Sequence, residues 1–582
     1  NHAGRGARVR PATRRSTWRA PPAARCWWRA SNADAAPGGR PPVLDRIERV
    51  GNALPDPATL FLLGALTVMG LSQLAVSLDW SVQKTVTREL QVPVLDAAGQ
   101  PVMDPLSGRA LTVAQLDPAT GDVVRERVAV PVRAVSLLSS DGLYWAISSL
   151  VANFKNFPPL AIVLVGMLGI GLAERTGFIG ALLKATLVGM PQALLTPTVF
   201  LVGVLSSVAL DAGYVVLPPV AMALYRQAGR SPLVGLAAVF AGTSAGFSAN
   251  LSITALDPLL AGLSESGARI LDPGYAVAAT ANWWFMIAST FLLVAVGWAV
   301  TAFWVEPRFH AKSVEEGGAG SAEADAAPEL SDLERRGLRR AGLAALVALA
   351  VMLAATWIPG APLHGMSGRF PRWVSAIVPL IFLGFFVPGL VYGVVTGATR
   401  SDKDVARILG ETMAAMGPYI VLAFFAAQFI EYFRHSGLGE MLAISGGQAL
   451  TRAQLPPTLL MAAFVGVVMV GNLFIGSMSA KYAFFAPVFV PMFMQVGISA
   501  ELTQAAYRVG DSVSNVITPL NPYVVIILVF MQRYVPRAGI GTLVALMLPY
   551  AIVFGLTWTT LLVLWMLSGA PLGPGGPLTY AP

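Results

Sequence analysis

The chain has 582 residues, 55% of them hydrophobic and 12% charged, with a mean hydropathy of +0.64. Soluble chains carry about 25% charge, so this composition excludes a soluble enzyme, and apolar runs of about 20 residues identify an integral membrane protein. The net charge of +8 does not point to a nucleic-acid groove. Eleven arginines against three acids in residues 1–49 leave an excess of eight there, while residues 50–582 balance 29 basic and 29 acidic side chains. The basicity belongs to a tail.

Residues 1–42 are rich in Arg, Pro, Ala and Trp, without a helical period or the apolar core of a signal peptide. This stretch reads as a basic disordered tail of translated upstream sequence, with the native start near Val43; the alternative is a real basic cytoplasmic arm. The one cysteine, Cys26, lies in it, so no disulfide framework or Cys-based metal site is expected. The four histidines (His2, His310, His364, His435) are scattered, and a His-ligated metal site is not expected. A first span is predicted at 58–78, then an extramembrane loop with some strand at 79–140. Residues 158–173 and 178–190 are apolar, separated by Glu174-Arg175-Thr176-Gly177. Residues 196–226 and 233–262 are apolar but interrupted by Gly, Pro, Ser and Asn. The span 282–304 opens on Trp283-Trp284, an interfacial anchor signature. A charged, low-complexity linker at 305–340 is expected to be a disordered connector. Spans follow at 341–358, 374–396 and 411–432, then interrupted stretches at 456–494 and 501–530, and a last span at 540–567. The Lys/Arg bias places 305–340 and 397–407 in the cytoplasm and 79–140 and 359–372 outside.

The most informative feature is an internal repeat. With a shift of 268 residues, 211–244 and 479–512 share 11 of 34 positions without a gap, among them Tyr214/Tyr482, Pro219/Pro487, Gly229/Gly497, Gly242/Gly510 and Ser244/Ser512. A shift of 260 aligns Gly177/Gly437 and Pro197/Pro457, and 264 aligns Leu256-Asp257-Pro258 with Leu520-Asn521-Pro522. Paired repeats with Gly- and Pro-interrupted hydrophobic segments are the mark of secondary transporters, because hydrocarbon leaves free N–H and C=O groups unsatisfied and unwound backbone survives at depth only where it lines a site or is buried in protein. Each unit offers a hairpin-like stretch, centred on 210–214 and 476–482, and a broken helix, at 242–250 and 510–522. Gly242, Ser244, Asn250 and Gly510 are the expected broken-helix backbone; close helix packing through small residues is the competing explanation.

Charges inside membrane segments are expensive and point to function. The candidates are Asp211, Asp257, Lys481, Arg508 and Asp511. Arg508 and Asp511 share a helical face at i, i+3, either as a self-neutralising ion pair or as a site in which Arg508 holds a carboxylate bidentately and Asp511 carries a proton or ligates an ion. Asn472, Ser477, Ser479, Ser512 and Asn515 add neutral oxygens suited to Na⁺. Lys481 either snorkels or takes part in the site, and Asp257 is equally readable as a cap at a helix break.

At these residues the chain resembles the AbgT family of p-aminobenzoyl-glutamate transporters. The resemblance rests on LDRIERVGNALPDP (44–57), LDAGYVVLPP (210–219), AGTSAGFSANL (241–251) with LDPLLAGL (256–263), GNLFIGSMSAKYAFFAPVFVPM (471–492) and YRVGDSVSNVITPLNPY (507–523), and runs from about 44 to 567. It implies an all-α polytopic membrane protein with inverted repeats, about nine transmembrane helices and two re-entrant hairpins per subunit, in a homodimer of the bacterial inner membrane. The expected division is the first transmembrane helix and extracytoplasmic loop (43–157), core repeat 1 (158–263), scaffold helices (264–416), core repeat 2 (417–530), and the last helix and tail (531–582). The implied activity is ion- or proton-coupled uptake of p-aminobenzoyl-glutamate, export of sulfonamide antimetabolites, or both, with no cofactor beyond Na⁺ or H⁺ and no nucleic-acid partner. The resemblance points to Asp211, Ser479, Tyr482, Arg508, Asp511 and Pro519 for substrate. For coupling it points to Asn472, Asp511, Ser512 and Asn515, with Na⁺ at Asn472, Asp511 and Asn515. The family commonly has Trp where this chain has Tyr482 and Pro where it has Ala500, which leaves the substrate open. A dicarboxylate symporter of similar build, a channel and a membrane-embedded enzyme are the alternatives; an enzyme would need a nucleophile–base pair or metal cluster at depth, which the sequence does not offer.

Overall fold

The computed structural model describes residues 56–89, 91–94, 96, 99–103, 109–115, 125–188, 190–209, 212–310, 312–313, 316–319 and 330–581. The expected tail at 1–42 and Asp211 lie outside the described residues. Helix α1 (Pro57–Ser77) starts where the Asp56 carboxylate accepts from Ala58 N and Pro57 presets the first turn. Its buried residues Phe61, Ala65, Val68, Ser72 and Ala75 recur every three or four positions, while Leu62, Leu63, Leu66 and Leu74 stay exposed. An apolar helix with one buried stripe and a bare apolar back belongs in lipid. The loop that follows carries the antiparallel pair β1 (Ser81–Glu89) and β2 (Arg125–Arg133), registered from Ser81↔Arg133 to Glu89↔Arg125.

Two short helices, Ser140–Ser148 and Leu150–Lys155, lead into the first repeat unit: α2 (Pro158–Arg175), α3 (Phe178–Leu187), α4 (Leu195–Leu205), α5 (Ala212–Gln227), α6 (Pro232–Phe240) with a π turn at Ala241–Ala245, a non-helical stretch, and α7 (Leu256–Ala268). Helix α3, in the apolar run at 178–190, has ten residues, about 15 Å at about 1.5 Å per residue, so it reaches only half-way through the hydrocarbon. Helix α8 (Trp283–Phe309) and helix α9 (Asp332–Trp357) flank the linker. The linker expectation is corrected at both ends. Helix α8 continues through a π turn at Thr301–Val305 to Phe309, and α9 begins nine residues earlier than the apolar run, because Ser331 and Glu334 form a capping box that carries Arg335, Arg336, Arg339 and Arg340 into its first turns.

Helix α10 (Ile377–Thr396) precedes α11 (Asp402–Ala415) and the second unit: α12 (Gly417–His435), α13 (Leu438–Ala453), α14 (Pro457–Gly471), α15 (Met478–Met494), α16 (Ala500–Ser514), a non-helical stretch, and α17 (Val524–Gln532). Helix α18 (Ile540–Ser568) closes the order. The expected span at 411–432 is two helices bent by 44° at Met416. Six helices are long and apolar enough to cross a membrane, or up to eight if each bent pair is one span, among the described residues.

The repeat seen in sequence is a repeat of elements. Gly177 and Gly437 start α3 and α13 at φ 85° and 73°, and Gly229 and Gly497 take φ 70° and 81° just ahead of α6 and α16. These left-handed turns favour glycine, which is why these pairs match. The units also interlock: α7 packs on α15 and α17 on α5. The matched tyrosines follow suit. The Tyr214 ring stacks on Tyr523 with 3.9 Å between centroids, and the Tyr482 hydroxyl meets Ser264 Oγ at 2.7 Å. Such reciprocal exchange is what a two-fold relation between the units produces.

Candidate functional site

The second hairpin turns at a point its own sequence weakens. In the second unit, α14 stops at Gly471 and α15 resumes at Met478, capped by Ser477. The unwound stretch is therefore 472–477 rather than a centre at 476–482. A side chain at Gly476 would put its Cβ 2.6 Å from the Leu520 carbonyl oxygen, so glycine there lets the hairpin tip touch the following break. The helix breaks also fall later than expected. Helix α16 stays helical through Ser514 and the break runs over 515–523, while in the first unit Gly242 and Ser244 sit in the π turn and the break covers 246–255. Gly242 and Gly510 act by close packing instead. A Cβ on Gly242 would lie 3.1 Å from Gly203 Cα, and one on Gly510 would lie 2.6 Å from the Val465 carbonyl oxygen. Both pack against the first arm of their own hairpin, the competing explanation weighed for small residues.

Polar side chains tie each break to its own hairpin. Asn250 Nδ2 donates to Ser207 Oγ at 2.7 Å. Asn472 Nδ2 faces Asn515 Oδ1 at 2.8 Å, Ser514 Oγ at 2.9 Å and the Asp511 carbonyl oxygen at 3.0 Å, and Thr518 Oγ1 donates to the Asn472 carbonyl at 3.0 Å. Further bonds cross between the units. Asn521 Nδ2 donates to Ser244 Oγ at 3.0 Å, and Ser248 N donates to Ser512 Oγ at 3.1 Å. Asp257, the repeat mate of Asn521, crosses the other way: its Oδ1 takes Arg508 Nη2 at 2.6 Å. The scaffold joins in through Trp283, whose indole donates to the Leu251 carbonyl at 3.0 Å, inside the first break.

The charges pair differently from the i, i+3 expectation. Arg508 does not bridge to Asp511. It bonds to Asp257, whose other oxygen accepts from Thr254 N at 2.7 Å and Thr254 Oγ1 at 2.9 Å, so the carboxylate both caps the entry to α7 and neutralises the guanidinium. Asp511 pairs with Lys481, Nζ to Oδ1, at 2.6 Å. Lys481 is fully buried and therefore does not snorkel; its ammonium also donates to Asn472 Oδ1 at 2.5 Å. Isolated buried charges are prohibitive in hydrocarbon, and two crossed pairs bring this cluster to zero net charge. Some polar capacity is left over. Arg508 Nε, Asp511 Oδ2 and Ser248 Oγ are buried and have no hydrogen-bond partner among the described residues.

The remaining candidates sit around this cluster. Tyr482 is fully buried, its ring 4.2 Å from that of Tyr507, and Ser264 bridges its hydroxyl to Gln504 Oε1 at 2.8 Å. Tyr507 donates to the Met478 carbonyl at 2.6 Å and lies 3.4 Å from Asp511 Oδ1. Among the described residues Ser479 has only Ser477 Oγ within reach, at 3.4 Å, and it lines a narrow, mainly apolar crevice with Leu259, Leu263, Tyr419, Ala426 and Ala483. Pro519 is half-buried in the second break. Arg508, Asp511, Asn472, Asn515 and Ser512 are thus drawn together, while Ser479 and Pro519 flank them without a polar contact to them. Of the expected Na⁺ ligands, Asn472 Oδ1 and Asp511 Oδ1 hold Lys481, and Asn515 Oδ1 holds the Asn472 amide. Sequence reasoning missed Gln504, Tyr507, Ser264 and Ser248. Glu501, Gln504, Arg508 and Asp511 follow the three- and four-residue rhythm of one helix face, a polar stripe on a fully buried helix that could have shown Gln504. Ser248 falls within the broken helix expected at 242–250, whereas nothing near Ser264 distinguishes it from other small residues.

The family model of AbgT transporters matches residues 42–580. The p-aminobenzoyl-glutamate transport protein of Escherichia coli K12 is 32% identical over 537 residues, covering 91% of this chain and 95% of that one. The crystal structure of the Alcanivorax borkumensis YdaH transporter superposes with a TM-score of 0.77 at 39% identity, over 89% of this chain and all of the other. The Neisseria gonorrhoeae MtrF structure, described with a class of antimetabolite efflux pumps, gives a TM-score of 0.77 at 36% identity, over 92% of this chain and all of the other.

Proposed function

The chain belongs to the AbgT transporter family, and on that premise we propose that it couples an ion or proton gradient to the movement of p-aminobenzoyl-glutamate-like aromatic carboxylates, to the export of sulfonamide antimetabolites, or to both. It is a multi-pass membrane transporter and not an enzyme. The reading places it as a homodimer in the bacterial inner membrane, with the interlocked core moving against the outer helices so that access alternates.

One observation carries the site assignment. On consecutive turns of α16, a buried guanidinium and a buried carboxylate are each neutralised from another element, and each keeps one polar atom unfilled by the described residues, Arg508 Nε and Asp511 Oδ2. An unfilled donor beside a half-engaged guanidinium suits a substrate carboxylate, since the planar fork can take two oxygens at once. The unfilled acceptor suits a cation or proton. In this role Tyr482 supplies an aromatic face, Ser479 and Pro519 border the path from the crevice, Asp211 serves the first hairpin, and Asn472, Ser512 and Asn515 position the coupling ion with Asp511. The site is closed to solvent in this conformation, with Arg508 at 1% exposure and Tyr482 and Asp511 at 0%, so binding requires the hairpin tips to part.

The test is uptake into proteoliposomes of labelled p-aminobenzoyl-glutamate and of a sulfonamide under imposed Na⁺ or H⁺ gradients. Gradient-driven, saturable movement of at least one is expected. If neither moves under either gradient, the substrate assignment fails.

A further inference from the structure

The oxygens expected to hold a free coupling cation already hold a cation, and it belongs to the chain. Lys481 Nζ lies 2.5 Å from Asn472 Oδ1 and 2.6 Å from Asp511 Oδ1, with no exposed surface. The Asn472 amide is turned for this. Its nitrogen faces Asn515, Ser514 and the Asp511 carbonyl, which leaves only its oxygen to point at the ammonium. The Tyr507 ring, 5.9 Å from Nζ, covers one side. Lys481 sits in the first turn of α15, directly after the unwound tip, so the ammonium is tethered to the second hairpin while Asp511 belongs to α16.

We propose that Lys481 is the resident cation of the coupling site and that a free monovalent cation, Na⁺, binds between Asp511 and Asn472 only by displacing it. This rests on the assignment of Asn472, Asp511 and Asn515 to ion coupling. The exchange conserves charge at Asp511: one positive charge leaves as one arrives, and the carboxylate is never left unneutralised in a low-dielectric interior. What changes is the mechanical link. With the ammonium in place, the second hairpin is pinned to α16 by an ion pair; with Na⁺ in its place the pin is gone and Lys481 must leave with the hairpin tip. Ion binding and hairpin opening are thereby one event. The tether also sets the ion's affinity, because Na⁺ competes with a cation held at high effective concentration by a short backbone connection. Lys481 therefore sets how tightly the coupling ion binds.

The test needs no substrate. Thermal unfolding of the full-length protein in detergent is followed across matched NaCl and choline chloride series for wild type, Lys481→Gln, Lys481→Arg and Asp511→Asn. Lys481→Gln is expected to show a sodium-specific rise in Tm whose midpoint lies at least tenfold lower in Na⁺ than any wild-type response. Lys481→Arg is expected to behave as wild type, and Asp511→Asn to lose the response. A Lys481→Gln protein that folds only in Na⁺ supports the proposal equally, since Na⁺ then replaces the missing ammonium. A sodium midpoint in Lys481→Gln equal to wild type overturns it, as does a variant that stays unfolded in both salts, because the free ion then does not take the ammonium's place. Absence of p-aminobenzoyl-glutamate uptake bears on the transport reading and leaves this titration standing.

Discussion

A guanidinium at 1% exposure inside a membrane protein has to be answered close by, and for Arg508 the answer is Asp257 at 2.6 Å. Removing one partner of a buried pair leaves the other uncompensated, at a cost of about 3–5 kcal/mol. Asp257→Asn is therefore expected to lower the Tm of the detergent-solubilised protein by several degrees. An unaltered Tm in Asp257→Asn would show that the pair is not what holds Arg508. The identity of the important charges was legible in sequence, because few ionisable residues occur inside apolar segments and each stands out. Their partners were not. Arg508 and Asp511 share a face at i, i+3, but Asp257 lies 251 positions from Arg508 and reaches it only because α7 is exchanged into the other unit. A helical wheel contains the local pairing and has no access to the tertiary one that displaces it. Asn472 is the opposite case. Its place among neutral oxygens near Asp511 was readable, but its use of those oxygens as a mount for Lys481 depends on the amide's orientation.

The elements carry the next set of consequences. Gly510 occupies a helix interior against α14, with the Val465 carbonyl oxygen 2.6 Å and Val468 Cβ 2.8 Å from where a methyl group would stand. Overpacking of this kind costs about 1–3 kcal/mol, so Gly510→Ala is expected to lower Tm and to separate α14 from α16. A neutral or raised Tm would contradict the close-packing role. At the start of α16 the Ser499 hydroxyl accepts from Leu502 N at 3.0 Å and donates to the Pro577 carbonyl at 2.6 Å, tying the helix to the C-terminal segment. Loss of a cap costs about 1 kcal/mol; Ser499→Ala should show at least that loss in chemical denaturation, and Ser499→Thr, which keeps the hydroxyl, should show less of it. Gly, Ser, Asn and Pro marked both breaks in sequence but not their edges. Gly242, Ser244, Gly510 and Ser512 are poor helix formers that remain helical because packing pays the propensity cost, and the backbone lets go only beyond Ala245 and Ser514. The linker erred the other way. Its charges read as disorder, yet Ser331 and Glu334 supply a capping box strong enough to start α9 ahead of the apolar run.

The centre of the molecule is two units, each of which completes the other's core. Helix α7 of the first lies on α15 of the second, α17 of the second lies on α5 of the first, and Asp257 and Asn521 cross in opposite directions from matched Leu-Asp-Pro and Leu-Asn-Pro positions. The existence of the repeat was legible because its glycines and prolines are fixed by backbone geometry, which an apolar alphabet cannot imitate by chance at so many ordered places. The exchange itself was not, since sequence spacing does not say which unit a segment packs on. The interlock puts Arg508 at a junction of both units, and in the proposed function substrate and coupling ion meet there on one helix face. Counterflow of labelled p-aminobenzoyl-glutamate in proteoliposomes, compared between wild type and Arg508→Lys, tests this claim most directly. Lysine keeps the charge that answers Asp257 but lacks the two-pronged fork. The account predicts a folded Arg508→Lys protein whose counterflow falls at least about tenfold, a loss of about 1.4 kcal/mol in substrate binding. Counterflow equal to wild type in that variant would contradict it.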